Sequence, residues 1–385
     1  MLWEALIIAP IATILAIGAS YLIPGDITTL ESVAPETKTS DFCFSDFYSI
    51  AVSNDKTYTI DPNITIVAVD RCSRTEIAAA LATADSAGAK AIGIDLILEK
   101  PTVDYDSLAD YLRYNKRIIL PVLLKDYDGI YFNDAEASYF DTWEINDSRH
   151  ASININGSHE GCTTRYFKPE FDHVDSPIPS MAMMLAETYK PGSFDRIMTR
   201  GNSMEMIDFT THQFNVIHAK DLYRHTDLLK NKIVLLGCVD NAADKHRIPL
   251  INNMAGVIIH AYIISTIIND DFIDDSSWLI NMTIAAIVCL IIVFLGVLFR
   301  STDWGCMMVR ILQIAILFTI LYIGTALFRT YHYNLDFGPT ILISVLGLLV
   351  MDILIGLNAI IRHIIIRFRR RISPTTPDCD HTPQQ

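Results

Sequence analysis

The hydrophobic residues of this chain concentrate in four long runs, one at the amino end and three near the carboxyl end. The runs are Leu2–Ile23, Trp278–Phe299, Ile311–Phe328 and Phe337–Ile361. About 20 apolar residues, at a rise of about 1.5 Å each, cross the hydrocarbon core of a bilayer. The pattern therefore predicts four transmembrane helices and a multi-pass membrane protein.

Basic residues predict the orientation of these helices. The end of the chain carries a group of arginines that we expect to anchor it at the membrane surface: Arg362, Arg367, Arg369, Arg370 and Arg371. Lys and Arg are enriched on the cytoplasmic side of membrane proteins. We therefore expect a cytoplasmic carboxyl terminus, and a large domain that faces the periplasm or exterior.

The first apolar run has a rival interpretation as a cleaved signal peptide. Small residues at Ala16, Gly18 and Ala19 would suit a peptidase. The run is long, however, and has no basic leader, which favours a retained anchor. Both interpretations stay open.

Between the first and second runs, short β-branched segments alternate with helical ones. The predicted strands are 64–69, 89–97, 117–124 and 232–237, and the predicted helices are 74–87, 105–114, 219–230 and 254–268. Strands separated by helices pair in parallel through right-handed crossovers. The fold class is thus an α/β extracytoplasmic domain with a mostly parallel sheet flanked by helices, joined to α-helical transmembrane segments.

The chain is accordingly predicted to have four parts. An anchor covers residues 1–23, the extracytoplasmic domain 24–277, three transmembrane helices 278–361, and a short, basic, disordered cytoplasmic tail 362–385. We expect this tail to hold no output domain.

Charge narrows the range of partners. Residues 24–277 carry 22 Lys and Arg against 38 Asp and Glu, a net charge of −16. Such a domain would repel phosphates, so no nucleic-acid partner is expected. This region contains four cysteines, Cys43, Cys72, Cys162 and Cys238. Whether they form a disulfide is left open, and four cysteines could pair into two disulfides in three ways. No metal-binding spacing, cofactor motif or catalytic motif is recognised.

Four segments in a fixed order resemble the second type of CHASE domain, a sensory extracellular domain associated with cyclases and histidine kinases. They are ITIVAVDRCSRTEI, GAKAIGIDLILEK, KIVLLGCVDNAADKHRIPL and GVIIHAYIISTIINDDFI. The resemblance implies a sensor in a bacterial inner membrane with its domain in the periplasm. Family members usually continue into a cyclase or kinase, so the short tail predicts a stand-alone form without an output domain. The resemblance also singles out Asp70, Asp95, Asp244 and His260 as landmarks of the family.

These four residues are the candidate ligand site. Parallel strands gather their carboxyl ends at one edge of a sheet, where ligands usually bind. Asp70 and Asp244 each follow a predicted strand, so they are candidates to bind a cation or a small polar ligand there. The alternative is that these carboxylates cap helices or brace loops by hydrogen bonds.

Three polar residues fall inside the carboxy-terminal apolar runs: Asp352, Asn358 and Gln313. A carboxylate in the middle of a bilayer costs about 2.5–3.5 kcal/mol on insertion scales, so we expect Asp352 to face other helices. It is interpreted as a docking point for a partner helix or part of an ion path, or as a protonated side chain hydrogen-bonded within the bundle.

The preferred function is a membrane-bound sensor, not an enzyme, that detects an extracytoplasmic signal and passes it to a separate protein carrying the output function. The bilayer is a second partner, and self-association is left open. The alternatives are a scaffold subunit of an envelope complex and a small transport or channel component.

Overall fold

The computed structural model describes residues 2–20, 43–55, 58–97, 107–127, 129–133, 149–155, 163–300, 302 and 304–372. The chain divides into two compact units. The sheet unit comprises Thr29–Asp275 and Gly324–Leu335. The helix unit comprises Met1–Thr28, Ser276–Ile323 and Asp336–Gln385.

The described residues form ten α-helices and sixteen short or medium strands. The helices are α1 Leu2–Ser20, α2 Phe44–Asp55, α3 Arg74–Ser86, α4 Ser107–Tyr114, α5 Met181–Tyr189, α6 Ser193–Arg200, α7 Gly256–Asn269, α8 Trp278–Phe299, α9 Gly305–Tyr331 and α10 Gly338–Ile372. The strands are β1 Thr59–Ala68, β2 Ala91–Asp95, β3 Ile118–Val122, β4 Leu124–Tyr127, β5 Ile130–Asn133, β6 His150–Ser152, β7 Tyr166–Phe167, β8 Glu170–Phe171, β9 Ile178–Pro179, β10 Glu205–Met206, β11 His212–His218, β12 Ile233–Gly237, β13 Lys245–His246, β14 Met254–Ala255, β15 Asp274–Asp275 and β16 Tyr333–Asn334.

A six-stranded sheet forms the centre of the sheet unit, with the strand order β11-β1-β12-β2-β3-β6. All five pairings within it are parallel, which confirms the predicted fold class. Alternate residues of β12 face opposite sides. Ile233 and Leu235 join the core beneath α5 and α7, while Val234 and Leu236 join the core beneath α3 and α4. Burial on both faces explains why the central strands are continuously apolar.

Two elements of the sheet unit differ from the sequence prediction. Strand β11 was not predicted, and it forms one edge of the sheet. The predicted helix over 219–230 is instead two short 3-10 turns, Ala219–Arg224 and Thr226–Leu228. Only Leu222 of the first turn is buried, so a longer helix would gain little packing from the sheet.

Among the described residues, four helices are long and apolar enough to cross a membrane, and each lies wholly or mostly in the helix unit: Leu2–Ser20, Trp278–Phe299, Met307–Tyr331 and Gly338–Phe368. This confirms the four predicted spans, one amino-terminal and three carboxy-terminal. Helix α10 continues to Ile372 because Ile364–Ile366 extend its apolar pattern, so Arg362 and Arg367 lie on the helix and not in a tail. Residues 373–385 lie outside the described residues.

Helices α1, α8 and α10 share one apolar core within the helix unit. Small residues let α8 and α10 approach closely, since a Cβ on Gly347 would lie 2.3 Å from the Cys289 sulfur. Gln313 is buried and Asn358 is partly buried. The Asp352 side chain is 60% exposed within the chain and lies 3.7 Å from Arg310 on α9, and the expectation that it faces other helices stays a prediction.

Candidate functional site

Three neighbouring strands bring the predicted site residues to one edge of the sheet. Ala68 at the end of β1 pairs with Gly237 at the end of β12, and Gly237 pairs with Asp95 at the end of β2. Asp70, Cys238 and Asp95 therefore lie at the carboxyl edge, as the parallel topology requires.

The Asp70 carboxylate braces the loop that follows β12. One oxygen accepts a hydrogen bond from the backbone N–H of Val239 at 3.0 Å, and the other accepts one from Asp240 at 2.9 Å. Both oxygens are used in holding the loop, so the bracing interpretation describes Asp70 better than a ligand contact does.

The Asp244 carboxylate lies at the start of helix α7. A Cβ on Gly256, the first residue of α7, would lie 2.6 Å from Oδ1 of Asp244, so only glycine leaves room for the carboxylate. The helix amino end carries a partial positive charge that stabilises an anion there. Oδ1 also lies 3.1 Å from Nε2 of His246. The Asp244 side chain remains 37% exposed, so a ligand can reach it.

Three carboxylates surround the Cys238 thiol. Burial, followed by charge repulsion from Asp70, Asp244 and Asp95, raises the pKa of Cys238 to about 11. Burial, followed by the nearby Asp244, also raises the pKa of Asp95 well above its ordinary value. The negative charge of Asp244 disfavours ionisation of Asp95, so Asp95 holds its proton more tightly than an ordinary aspartate does.

His260 contributes a neutral imidazole with one unpaired nitrogen. It lies on α7 four residues after Gly256, hence on the same helix face, and is 1% exposed. Burial lowers its pKa to about 4. Nε2 lies 3.3 Å from the carbonyl oxygen of Ile153, which assigns the proton to Nε2. Nδ1 is then a buried acceptor that has no hydrogen-bond partner among the described residues.

This arrangement can be compared with known proteins. The chain matches the CHASE2 domain family over residues 24–299, more than two thirds of its length. The chain belongs to the CHASE2 domain family. This family consists of sensory extracellular domains, and the match extends through α8. Neither the curated proteins nor the solved structures contain a match to the chain.

Within this CHASE2 domain, Asp95, Asp244 and His260 lie around one part of the carboxyl edge, while Asp70 is engaged in the loop beside it. His246 joins the cluster and was missed by the sequence analysis. The signal that could have found it is its position two residues after Asp244 in the segment ADKH. An open groove of about 460 Å³ lies elsewhere, near Asp85, Tyr111 and Arg117 at the amino ends of the strands.

Cysteine and metal chemistry add little to the site. Within the described part of the chain, Cys43, Cys72 and Cys238 form no disulfide with one another, and Cys162 lies outside it. Among the described residues, no group of three or more His, Cys, Asp and Glu side chains is placed to hold a metal ion. The cluster offers hydrogen-bond acceptors and negative charge.

Replacing Asp95 by Asn should stabilise the protein increasingly as the pH rises. The wild-type carboxyl keeps its proton in the folded state after the unfolded chain has lost it. The stability of the wild type therefore falls from about pH 4 upward, through the folded pKa, by about 1.4 kcal/mol per pH unit. We expect equal melting temperatures at pH 4 and a higher one for Asp95→Asn at pH 7.5. The exposed Asp240→Asn is the control, and an Asp95→Asn variant less stable than wild type at pH 7.5 would contradict the assignment.

Proposed function

We propose that this CHASE2 protein is a membrane-bound sensor whose sheet unit binds a small, positively charged hydrogen-bond donor, such as a protonated amine, outside the cytoplasm. The observation that carries the proposal is the buried Nδ1 of His260, which has no hydrogen-bond partner among the described residues. His260 lies on the same face of α7 as Gly256, against which the Asp244 carboxylate lies, in a domain of a sensory family. A buried acceptor without a donor costs about 1–3 kcal/mol, which a donating ligand would recover.

The charges of the cluster favour a cation over an anion. Asp244 is the partly exposed carboxylate, and Asp95 supplies a second carboxyl that can release its proton when a positive charge arrives. Lys245 lies nearby, but its ammonium group donates a hydrogen bond to the carbonyl oxygen of Val239 and so stabilises the loop that follows β12. A protonated amine would satisfy Nδ1 of His260 and neutralise Asp244 together.

Helix α9 is the proposed route from the domain to the membrane. It begins in the helix unit, but its residues from Gly324 onward belong to the sheet unit. There Tyr48 packs on Phe328 and donates its hydroxyl to the carbonyl oxygen of Leu335 at 2.9 Å. Strand β15, which follows α7 closely, pairs with β16 directly after α9. A shift of α7 on ligand binding would thus reach α9, and we propose that the helices pass it to a separate output protein.

The ligand proposal is tested by thermal unfolding of the full-length protein in detergent. The probes are ethanolamine, putrescine and the twenty amino acids, with acetate as an anion. A ligand at 100 times its Kd stabilises the folded state by about 2.7 kcal/mol. We expect at least one amine to raise the melting temperature of the wild type by several degrees, and acetate to have no effect.

Two variants should abolish that response by different means. Asp244→Asn removes the charge, whereas Gly256→Ala displaces the carboxylate without altering any charged group, since the new Cβ would lie 2.6 Å from Oδ1. Asp240→Asn is the matched control, because it removes a carboxylate from the same loop but outside the cluster. An amine response that persists in both site variants would refute the proposed site, and the absence of any amine response in the wild type would refute the ligand class.

A further inference from the structure

An incompletely covered ion pair lies on the surface of the helix unit. Asp352 on α10 and Arg310 on α9 are 3.7 Å apart, farther than a hydrogen bond reaches. Their side chains are 60% and 54% exposed. Within one chain, more than half of each side chain is therefore exposed, and the opposite charge nearby stabilises each group only weakly.

The position of Asp352 along α10 places it in hydrocarbon. The candidate span runs from Gly338 to Phe368, so Asp352 is 352 − 338 = 14 residues from one end and 368 − 352 = 16 from the other. These separations are about 21 Å and about 24 Å at the helical rise of about 1.5 Å. A hydrocarbon core about 30 Å thick includes Asp352 wherever the span crosses it completely.

Glu4, the other acidic residue of a described transmembrane helix, has much stronger ion pairs within the chain. Glu4 on α1 is 24% exposed and lies 3.2 Å from Arg300 and 2.9 Å from Arg362. Two arginines thus donate hydrogen bonds to one carboxylate there. Ionisable groups in membranes almost always face protein or water, so the Asp352–Arg310 pair calls for a further protein surface.

Helix α9, which carries Arg310, is also the least covered of the four spans. Only 17% of its span is buried within the chain, against 33–39% for the other three. Apolar exposure is ordinary for a helix in lipid, but the ion pair is not. The uncovered face of α9 and α10 around Arg310 and Asp352 is therefore the part of the helix unit that needs a partner.

We propose that this face binds the same face of a second copy of the chain within the membrane. The face carries one acid and one base, so it is complementary to itself. In a two-fold symmetric dimer, Arg310 of each copy meets Asp352 of the other, which gives each charge two partners of opposite sign. This dimer is independent of the ligand proposal, because it involves only the helix unit.

Energy transfer between two labelled full-length copies tests the dimer in lipid vesicles at a fixed protein-to-lipid ratio. We expect strong transfer for the wild type, and at least fivefold less for Asp352→Asn alone or Arg310→Gln alone. Mixing these two variants should restore about half of the wild-type signal, since one cross-pair forms again. If Arg310 and Asp352 interacted only within one chain, mixing the two variants would not restore the energy transfer. The matched control is Arg367→Gln, which removes an exposed charge near the end of α10 and should keep the full signal.

A second measurement leaves both charges in place. Leu349 lies three residues before Asp352 and is 57% exposed, so Leu349→Cys should crosslink between copies under mild oxidation. Ile287→Cys on α8, which is 54% exposed, is the control. Equal crosslinking at both positions, no energy transfer for the wild type, or no rescue on mixing would each overturn the dimer. A different membrane protein bound to this face in place of the second copy would also overturn it.

Discussion

Replacing Arg165 by Ala is expected to destabilise the sheet unit by about 3–5 kcal/mol, because this change leaves a buried carboxylate without its partner. The Arg165 guanidinium donates two hydrogen bonds to the Asp46 carboxylate, both 2.7 Å long. Each side chain is only 8% exposed. Asp46 lies in the first turn of α2, so this pair also fixes that helix to the segment that leads into β7.

Urea unfolding of the full-length protein in detergent, followed by circular dichroism, measures this effect. Arg117→Ala is the matched control. Its partner Asp85 is 28% exposed and Arg117 itself is 57% exposed. Loss of this ion pair should therefore lower the free energy of unfolding by less than about 1 kcal/mol. The double variant Asp46→Leu with Arg165→Met should recover most of the lost stability, since apolar replacement of a buried pair is often neutral. If Arg165→Ala were as mild as Arg117→Ala, the pair would be too well solvated to matter.

The parts of the fold that the sequence predicts well are those that packing determines directly. Strands β1, β2, β3 and β12 are buried on both faces, and their runs of apolar residues show this without any tertiary information. The polar edge strand β11 gave no such signal. Its residues HQFNVIH pair with β1 on one side only, and most of them are at least partly exposed, so neither a continuous apolar run nor a clean alternation appears.

The candidate site was predictable to the same limited degree. Parallel topology alone brings Asp70, Asp95 and Asp244 to one edge. Sequence could not show that backbone amides occupy both oxygens of Asp70, or that Gly256 makes room for Asp244, because both depend on how the loop after β12 meets its neighbours. Hydropathy likewise shows the depth of Asp352 in the membrane but not which way its side chain faces, so its pairing with Arg310 could not be predicted.

Replacing Gly237 by Ala is expected to destabilise the sheet unit by about 1–3 kcal/mol through overpacking. The added Cβ would lie 2.6 Å from Cγ2 and 2.7 Å from Cβ of Val257, and 3.2 Å from the carbonyl oxygen of Asp95. Val257 is fully buried and β-branched, so it cannot rotate away, and the Asp95 backbone is held in the sheet. Helix α7 must therefore move away from β12.

The double variant Gly237→Ala with Val257→Ala separates this mechanism from a general intolerance at the strand end. Val257→Ala alone removes buried methyl groups and should also destabilise the protein. In the double variant the new methyl group occupies the space left by the Val257 side chain. Urea unfolding of the double variant should therefore show a clearly smaller decrease in the free energy of unfolding than the sum of the decreases in the two single variants. If the decreases in the free energy of unfolding were additive, Gly237 would be needed for something other than the close approach of α7. Because α7 also carries Gly256 and His260, recovery of the packing should restore the response to amines along with the stability.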